Sequence, residues 1–520
     1  MHISCQIHKF QKDRLINLGD DMISKTNPDQ ISIHDFVHNL GQKLDENNRW
    51  VLLAERIPWN KFREIYHETL RKDFGRPAKD ARLVIGAMII KHKKKLPDEE
   101  VIPEIQENPY LQFFVGLKAF TYQPIFDPSL FVTLRKRLGQ AVFDELNQAF
   151  LDEVIRIEKE LKPKKKSKKK DKGDKNPPSS GKSSNQGQLI IDASVAPQDI
   201  QFPTDLNLLK NAREHTERLI DQLWQPESGK RKPRTYRKIA RKEYLSLMKL
   251  KRKSHKKLRA GIRKQLGYVE RNIRTIKSLL EPELGKPLPF DKHELKLWWV
   301  LQELVKQQRT MYNDLSNSHP DRIVNLKQPH VRPIVRGKAG RDTEFGAKIS
   351  CSLVDGFIYL DHLGWNAFNE QHDLKVQIEN FKERFGYYPA SVHADHIYGS
   401  HDNRRYMKAR NIRYYGKALG RPPKLTKAQK KALKTGAGIR NGIEGKFGEG
   451  KRKYQLDCVK TKTQATSESW IAGALFVMNL AHWLRADFFV LCCKWIITEF
   501  QRLFSNIKEQ FYSETAISMA

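Results

Sequence analysis

Cysteine is scarce in this chain: five in 520 residues, Cys5, Cys351, Cys458, Cys492 and Cys493. No two of them form a C-x-x-C pair or a zinc-type spacing, which argues against a disulfide framework and a structural zinc and leaves reduced thiols. Long apolar runs are lacking as well. The most apolar stretch, Trp470 to Phe500, is interrupted by His482, Arg485, Asp487 and Lys494. It falls short of the roughly 18 uninterrupted residues that a spanning helix needs and reads as a buried C-terminal helix pair, with no membrane partner. The opening MHISCQIHKFQKDRL carries charge throughout and no apolar centre. No cleavable leader is expected, and the chain is placed in a reducing compartment, the cytoplasm. Negative charge is also in deficit, with 60 Asp and Glu against 95 Lys and Arg, a net of +35. A balance so positive repels itself unless a polyanion neutralises it, which puts nucleic acid or an acidic membrane surface first among candidate partners.

The positive charge is concentrated. LKPKKKSKKKDKGDKN, residues 161–176, holds nine lysines against two aspartates, and PPSSGKSSNQG follows it without apolar periodicity. This reads as a disordered basic linker over 156–186, separating an N-terminal unit, 1–155, from the rest. Between Arg234 and Leu280 seventeen Lys and Arg face two Glu. There Leu258, Ile262, Leu266, Val269, Ile273, Ile276 and Leu280 recur at helical spacing, one apolar stripe on an otherwise basic helix. Leu295, Trp298, Leu301, Val305 and Met311 repeat the pattern after a Pro- and Gly-rich turn, so a basic helical hairpin over Arg234 to Leu315, inside an insertion spanning 206–325, is expected. The N-terminal unit reads as all-α, with AKDARLVIGAMIIKHKKK as an amphipathic helix. Its short helices with exposed Lys and Arg suit a DNA reader of helix-turn-helix type and equally any small bundle.

The second half changes character at GQLIIDASVAPQDI, a β-branched run ending on Asp192. EFGAKISCSLVDGFIYLDHLG reads as a hairpin turning at Asp355 and Gly356, and NEQHDLKVQIENFKERFG as a helix. ASVHADHIYGSHDNRRY then gives a short strand ending on Asp395 and a further helix, IRYYG another strand, and GIRNGIEGKFGEGKRKY a helix carrying Glu444. With the insertion set aside the order is β-β-β-α-β-α-β-α, an α/β sheet whose first and fourth strands can lie parallel and adjacent. Asp192 and Asp395 would then meet, and Glu444 would lie over the same end. Three converging carboxylates raise one another's pKa unless divalent cations neutralise them, and all-oxygen ligands select Mg²⁺, with Mn²⁺ as a substitute, over zinc. Singly, Asp192 and Asp395 also read as turn or helix caps and Glu444 as a surface residue. Asp199, Asp205 and Asp342 are weaker competitors for the first position. His393, His396 and His401 invite a zinc site that no Cys or second His cluster completes; they read as strand, turn and phosphate-facing residues. Trp365 reads as a buried aromatic, with stacking on an unpaired base as the alternative.

LIIDAS, VHADHIYGSHDNRRYMKARNIRYYG followed by KALGRPP, and GIRNGIEGKFGEGKRKYQLD together resemble the bacterial insertion-sequence transposases of the DDE class, with a ribonuclease-H-like catalytic core. In the subset with a Tyr, Arg, Glu, Lys signature, Arg and Lys stand four before and seven after the Glu; Arg440, Glu444 and Lys451 fit, whereas Ala437 stands where the Tyr is expected. The resemblance implies an α/β ribonuclease-H-like core over 187–205 and 326–487, a C-terminal helix at 488–520 and an all-α N-terminal DNA-binding domain. It also implies catalysis and metal binding by Asp192, Asp395 and Glu444, and DNA contacts by Arg440, Lys451, Lys348, Arg404 and Arg405. The implied partners are double-stranded DNA, as terminal inverted repeats and target, and a second copy of the chain in a synaptic homodimer, in a bacterial, nucleoid-associated setting. A structure-specific nuclease of the same fold, or a transposase-derived DNA-binding protein without activity, are the alternatives.

Overall fold

The computed structural model describes residues 36, 43–71, 77–161, 185–224, 231–281, 285, 287–335, 343–417, 419–420 and 426–485. The linker lysines, Asp342, Cys5, Cys492, Cys493 and the 488–520 helix expected from the sequence lie outside them. Among the described residues the chain opens with seven helices: α1 (Arg49–Arg56), α2 (Trp59–Glu68), α3 (Ala81–Lys94), α4 (Asp98–Glu107), α5 (Pro109–Phe114), α6 (Leu130–Arg137) and α7 (Gln140–Leu161). Their starts follow local chemistry. Asn48 accepts from the Trp50 N–H at 2.9 Å and Asp80 from the Arg82 N–H at 2.8 Å, each satisfying an amide that the helix itself leaves open. Asp98, Glu99 and Glu100 fill the first turn of α4, where the helix dipole favours negative charge.

The amphipathic reading of α3 does not hold, because every residue from Val84 to His92 is buried. The helix lies at the centre, so it has no solvent face until its last turn. Cations of this unit are drawn inside with it. Arg82 donates to the carbonyls of Phe113 and Phe114, both at 3.0 Å. Lys91 pairs with Asp98 at 2.8 Å, and Arg135 grips the same carboxylate with both nitrogens at 2.9 and 2.6 Å. His92 is fully enclosed against the Trp470 ring with neither nitrogen partnered, and burial followed by the charges of Lys91 and Arg135 pulls its pKa down to about 3.

Among the described residues the sheet has six strands: β1 (Gln188–Pro197), β2 (Arg332–Val335), β3 (Thr343–Val354), β4 (Phe357–Gly364), β5 (Ser391–His393) and β6 (Arg413–Tyr415). Its order is β2-β3-β1-β5-β6, with β4 also on β3. β1 pairs antiparallel with β3 from Ile190↔Leu353 to Pro197↔Gly346, and parallel with β5 from Gln188↔Ser391 to Ile190↔His393. The expected adjacency of β1 and the ASVHAD strand is therefore present. β3 and β4 form the expected hairpin, Asp355 and Gly356 both taking positive φ, 49° and 85°, as a two-residue turn with the right twist requires. Between the later strands run α12 (Asp373–Phe385) and α13 (His401–Ala409), and α14 (Lys427–Tyr454) follows with a Thr426–Gln429 capping box.

Two features depart from the sequence reading. β2 was not expected, and it occupies the outer edge of β3 beside Thr343 to Gly346, where Pro333 needs no ladder hydrogen bond. The described residues of the insertion form four helices rather than a hairpin: α8 (Asp205–Leu223), α9 (Arg237–Met248), α10 (His255–Leu280) and α11 (Lys292–Asn313). The α10 stripe needs more apolar surface than α11 supplies. Leu209, Ala212 and Ile220 of α8 complete a core of the insertion's own with Leu266, Val269, Ile273, Ile276 and Leu301.

A second core runs without a break from the N-terminal helices through the sheet to the C-terminal helix at 464–485. Phe62 and Phe143 both meet Phe476, and Phe150 meets Trp483. Asn479 spans the junction: its side chain accepts from the Ile358 N–H at 2.8 Å and donates to the Ile358 carbonyl at 2.7 Å and to Asn147 at 2.9 Å. No helix of the described residues is long and apolar enough to cross a membrane.

Two outcomes are expected. The native state keeps His92 neutral down to about pH 3, whereas the unfolded chain takes up a proton near pH 6.5. Its contribution to stability is complete above pH 6.5 and falls as pH drops, by about 2 kcal/mol at pH 5. His92→Leu should flatten that slope, read from denaturant midpoints at pH 7 and pH 5. A Cβ at Gly346 would collide with the Ala196 carbonyl and stand 2.8 Å from Pro197 Cα. Gly346→Ala must push β1 from β3, lowering stability by roughly 2 kcal/mol or more in a thermal melt.

Candidate functional site

Asp192 lies within β1 rather than at its exit. The ladder with β3 carries the strand on to Pro197, but the parallel ladder with β5 stops at Ile190↔His393. Continuing that register by two residues brings Asp395 level with Asp192 where the two strands part. Asp395 caps the short 3-10 turn His396–Tyr398, accepting from the His396 N–H at 2.7 Å, with the His396 ring nitrogen 3.0 Å away. Tyr414 of β6 donates to the Asp395 carbonyl at 2.9 Å and so fixes the backbone behind it. α14 crosses the sheet at β1. Gly442 makes that approach close, since a Cβ there would lie 3.6 Å from Leu353 and 3.9 Å from Ile190. Ile443 and Phe447 are buried beneath the helix, and Glu444 faces outward with its side chain half exposed.

These elements enclose a cleft of about 750 Å³ whose wall includes Asp192, Asp395 and Glu444. The three acids from widely separated stretches are brought to one place. Burial pushes Asp192 up to about 6; the Ala193 N–H on its carboxylate opposes this, Glu370 adds to the rise, Arg440 opposes it and Glu444 adds again. Asp395 sits lower than an ordinary carboxylate, because its partial burial is outweighed by the His396 amide and ring and by Arg440.

Lys348, Arg440 and Lys451 share the cleft. Arg440 is 2.9 Å from Glu444, one helical turn away, and Lys451 is 3.8 Å from Glu344. Arg404 and Arg405 of α13 do not line it. Arg404 braces the loop after Asp395, donating to the Gly399 carbonyl at 2.8 Å and stacking over Tyr414, and Arg405 is exposed elsewhere. Asp199 and Asp205 are also outside the cleft wall; Asp205 pairs with Arg322 at 2.7 Å. His393 is buried in its strand between Ser391 and the Gly436 carbonyl, stacked on Tyr415. Trp365 is 9% exposed and donates to Glu468 at 2.9 Å, so the buried reading holds and the stacking alternative does not.

Glu370 is the residue that the sequence reading missed. It lines the cleft from the 3-10 turn before α12 and pairs with Lys348 at 2.8 Å. In the sequence it is an acid near a helix start, which carries no signal beyond a favourable dipole position.

An all-carboxylate donor set fits a hard divalent cation. As the side chains stand, no three His, Cys, Asp or Glu among the described residues converge on one ligating point. Cations of the chain engage two of the four acids instead, Arg440 holding Glu444 and Lys348 holding Glu370. The Glu444 pair is solvent-accessible and worth at most about 1 kcal/mol, so a doubly charged ion can displace it.

Comparison with known proteins bears on the family. Residues 392–481 match a family described as a transposase DDE domain, and residues 38–137 match a transposase domain family (DUF772). No solved structure matches the chain. A protein of Rhizobium meliloti, described as an uncharacterized protein, ORF8 in the nfe locus, is 33% identical over 162 residues, 31% of this chain and 68% of that one. With a transposase DDE domain matched over residues 392–481 and a transposase domain over residues 38–137, the chain belongs to the insertion-sequence transposases of the DDE class.

Proposed function

We propose that this transposase binds the terminal inverted repeats of an insertion sequence, cleaves strands at the element's ends and joins the freed 3′ ends to target DNA. Asp192, Asp395 and Glu444 are its catalytic and metal-holding residues, in a ribonuclease-H-like core. The observation that supports this most is the parallel register of β1 and β5, which, carried two residues past its last pair, sets Asp395 level with Asp192, with the Glu444 helix laid across the same strands. DDE transposases in general use divalent metals; here the ion is Mg²⁺, with Mn²⁺ as a substitute.

Bound at the three carboxylates, the cation supplies charge stabilisation to phosphoryl transfer and acidity to the attacking hydroxyl. The chain supplies the rest. Asp395 stays ionised because its amide and imidazole partners favour the charged form. Tyr414 and Arg404 keep its loop from yielding. Arg440, Lys451 and Lys348, which line the same cleft, take phosphate oxygens in this reading and hold the strand in register with the acids.

In this reading the core comprises 187–205 and 326–487. The N-terminal helical unit, whose last described helix runs to Leu161, the basic segment after it and the insertion 206–325 hold DNA. The insertion suits that part because its apolar stripe is buried while Arg241, Lys242, Lys251, Arg252, Lys256 and Arg263 are exposed, a surface that neutralises backbone phosphate without reading sequence. Synapsis of two element ends calls for a homodimer.

The test is cleavage and joining of a labelled duplex carrying the element's own end, with Mg²⁺. Asp192→Asn, Asp395→Asn and Glu444→Gln should each lose both steps by at least about a thousandfold while still binding the duplex. Joining at the native rate by any one of them removes that acid from the site.

A further inference from the structure

Glu370 and Lys348 form a pair in the cleft wall that fold stability does not explain. Lys348 stands on β3 opposite Val195 of β1. Its side chain is 13% exposed, against 21% for Glu370. The ammonium lies 2.8 Å from the Glu370 carboxylate, donates to the Phe368 carbonyl at 2.7 Å and stands 4.7 Å from the centre of the Phe368 ring. An enclosed ion pair of this kind stabilises a fold little, if at all, relative to apolar residues of the same volume. Charge gives it a reason to be there. The cleft wall carries four carboxylates, Asp192, Glu370, Asp395 and Glu444, against three cations, Lys348, Arg440 and Lys451. Lys451 is moreover 3.8 Å from Glu344, so a phosphodiester entering the cleft adds negative charge where carboxylates already outnumber cations, and a divalent ion offsets it.

We propose that Lys348 and Glu370 are an exchangeable pair: Glu370 is a fourth carboxylate for the divalent cation held at Asp192, and the ammonium it releases takes a non-bridging oxygen of the DNA phosphate in the cleft. The inference rests on the reading of the cleft as a divalent-cation site. Strand and ion then favour each other's binding, since each takes one member of a pair that otherwise satisfies itself.

The experiment is Mn²⁺ binding to the full chain, followed by the electron paramagnetic resonance of the free ion, for the native protein, Asp192→Asn, Glu370→Gln, Lys348→Met and the Glu370→Gln, Lys348→Met double variant. Asp192→Asn should abolish binding. Glu370→Gln should weaken it about tenfold, as expected when ligand charge is removed. Lys348→Met should tighten it several-fold and weaken retention of a DNA duplex in Ca²⁺. The double variant should bind Mn²⁺ more weakly than Lys348→Met alone, which separates a lost ligand from an unpaired lysine. If the native protein binds no Mn²⁺, the cation-site reading falls and this inference with it. If Asp192→Asn abolishes binding while the double variant matches Lys348→Met, only the inference is overturned. Should Glu370→Gln fail to fold, an Mn²⁺ affinity in Lys348→Met equal to the native value overturns it on its own.

Discussion

The cleft depends on β1 having a different neighbour on each side. Against β3 it is held over eight residue pairs, and against β5 over three. The long antiparallel ladder makes β1 a rigid rail, and the short parallel one brings in the β5 chain only far enough to deliver Asp395 before it turns away. A longer parallel ladder would have carried Asp395 into the sheet; a shorter one would have left its position to a loop. Gly346 and Gly442 serve the same constraint, the first by letting β3 close on β1 and the second by letting the Glu444 helix settle on both strands.

That geometry concentrates negative charge in a chain that is strongly positive overall, and the chain answers with cations that are held in place. Arg440 and Lys348 each have a carboxylate partner in the cleft. Far from it, Lys91 and Arg135 converge on Asp98 in the N-terminal core. Lys and Arg therefore act in two ways here: as solvated charge on the insertion, free to meet phosphate, and as fixed counter-charge inside, where an unpaired carboxylate would be costly. Composition alone cannot separate the two.

Asp395 and Glu444 stand out as candidates in the sequence, Asp395 where a strand breaks into polar residues and Glu444 through the resemblance that Arg440 and Lys451 carry. Asp192 reads in the sequence as the end of its strand, since nothing in Ala193 to Pro197 marks the strand as continuing; only its partner β3 reveals that. β2 escaped notice because four residues containing a proline do not read as a strand without an edge to sit on. α8 was separated from the insertion's other helices by residues of no clear period, so its share in their core was invisible. Glu370 could not have been found by spacing at all, because its place in the cleft is set by the turn into α12. The apolar periodicity of α3 misled for the opposite reason: a helix surrounded on all sides shows no polar face to read.

Asp205, an acid discarded as a ligand, ties the two ends of the insertion together. At the start of α8 it accepts from Gln308 of α11 at 2.8 Å and from Arg322 beyond α11 at 2.7 Å. β1 must find its partners on the far side of that insertion, and for a flexible loop each tenfold increase in length adds about 2 kcal/mol of closure entropy. Because the insertion has its own core, it can fold as soon as it is synthesised and clasp its ends, so that the later strands meet β1 as if only a short loop lay between. The element that carries so much of the chain's positive charge thereby shortens the search by which the sheet closes.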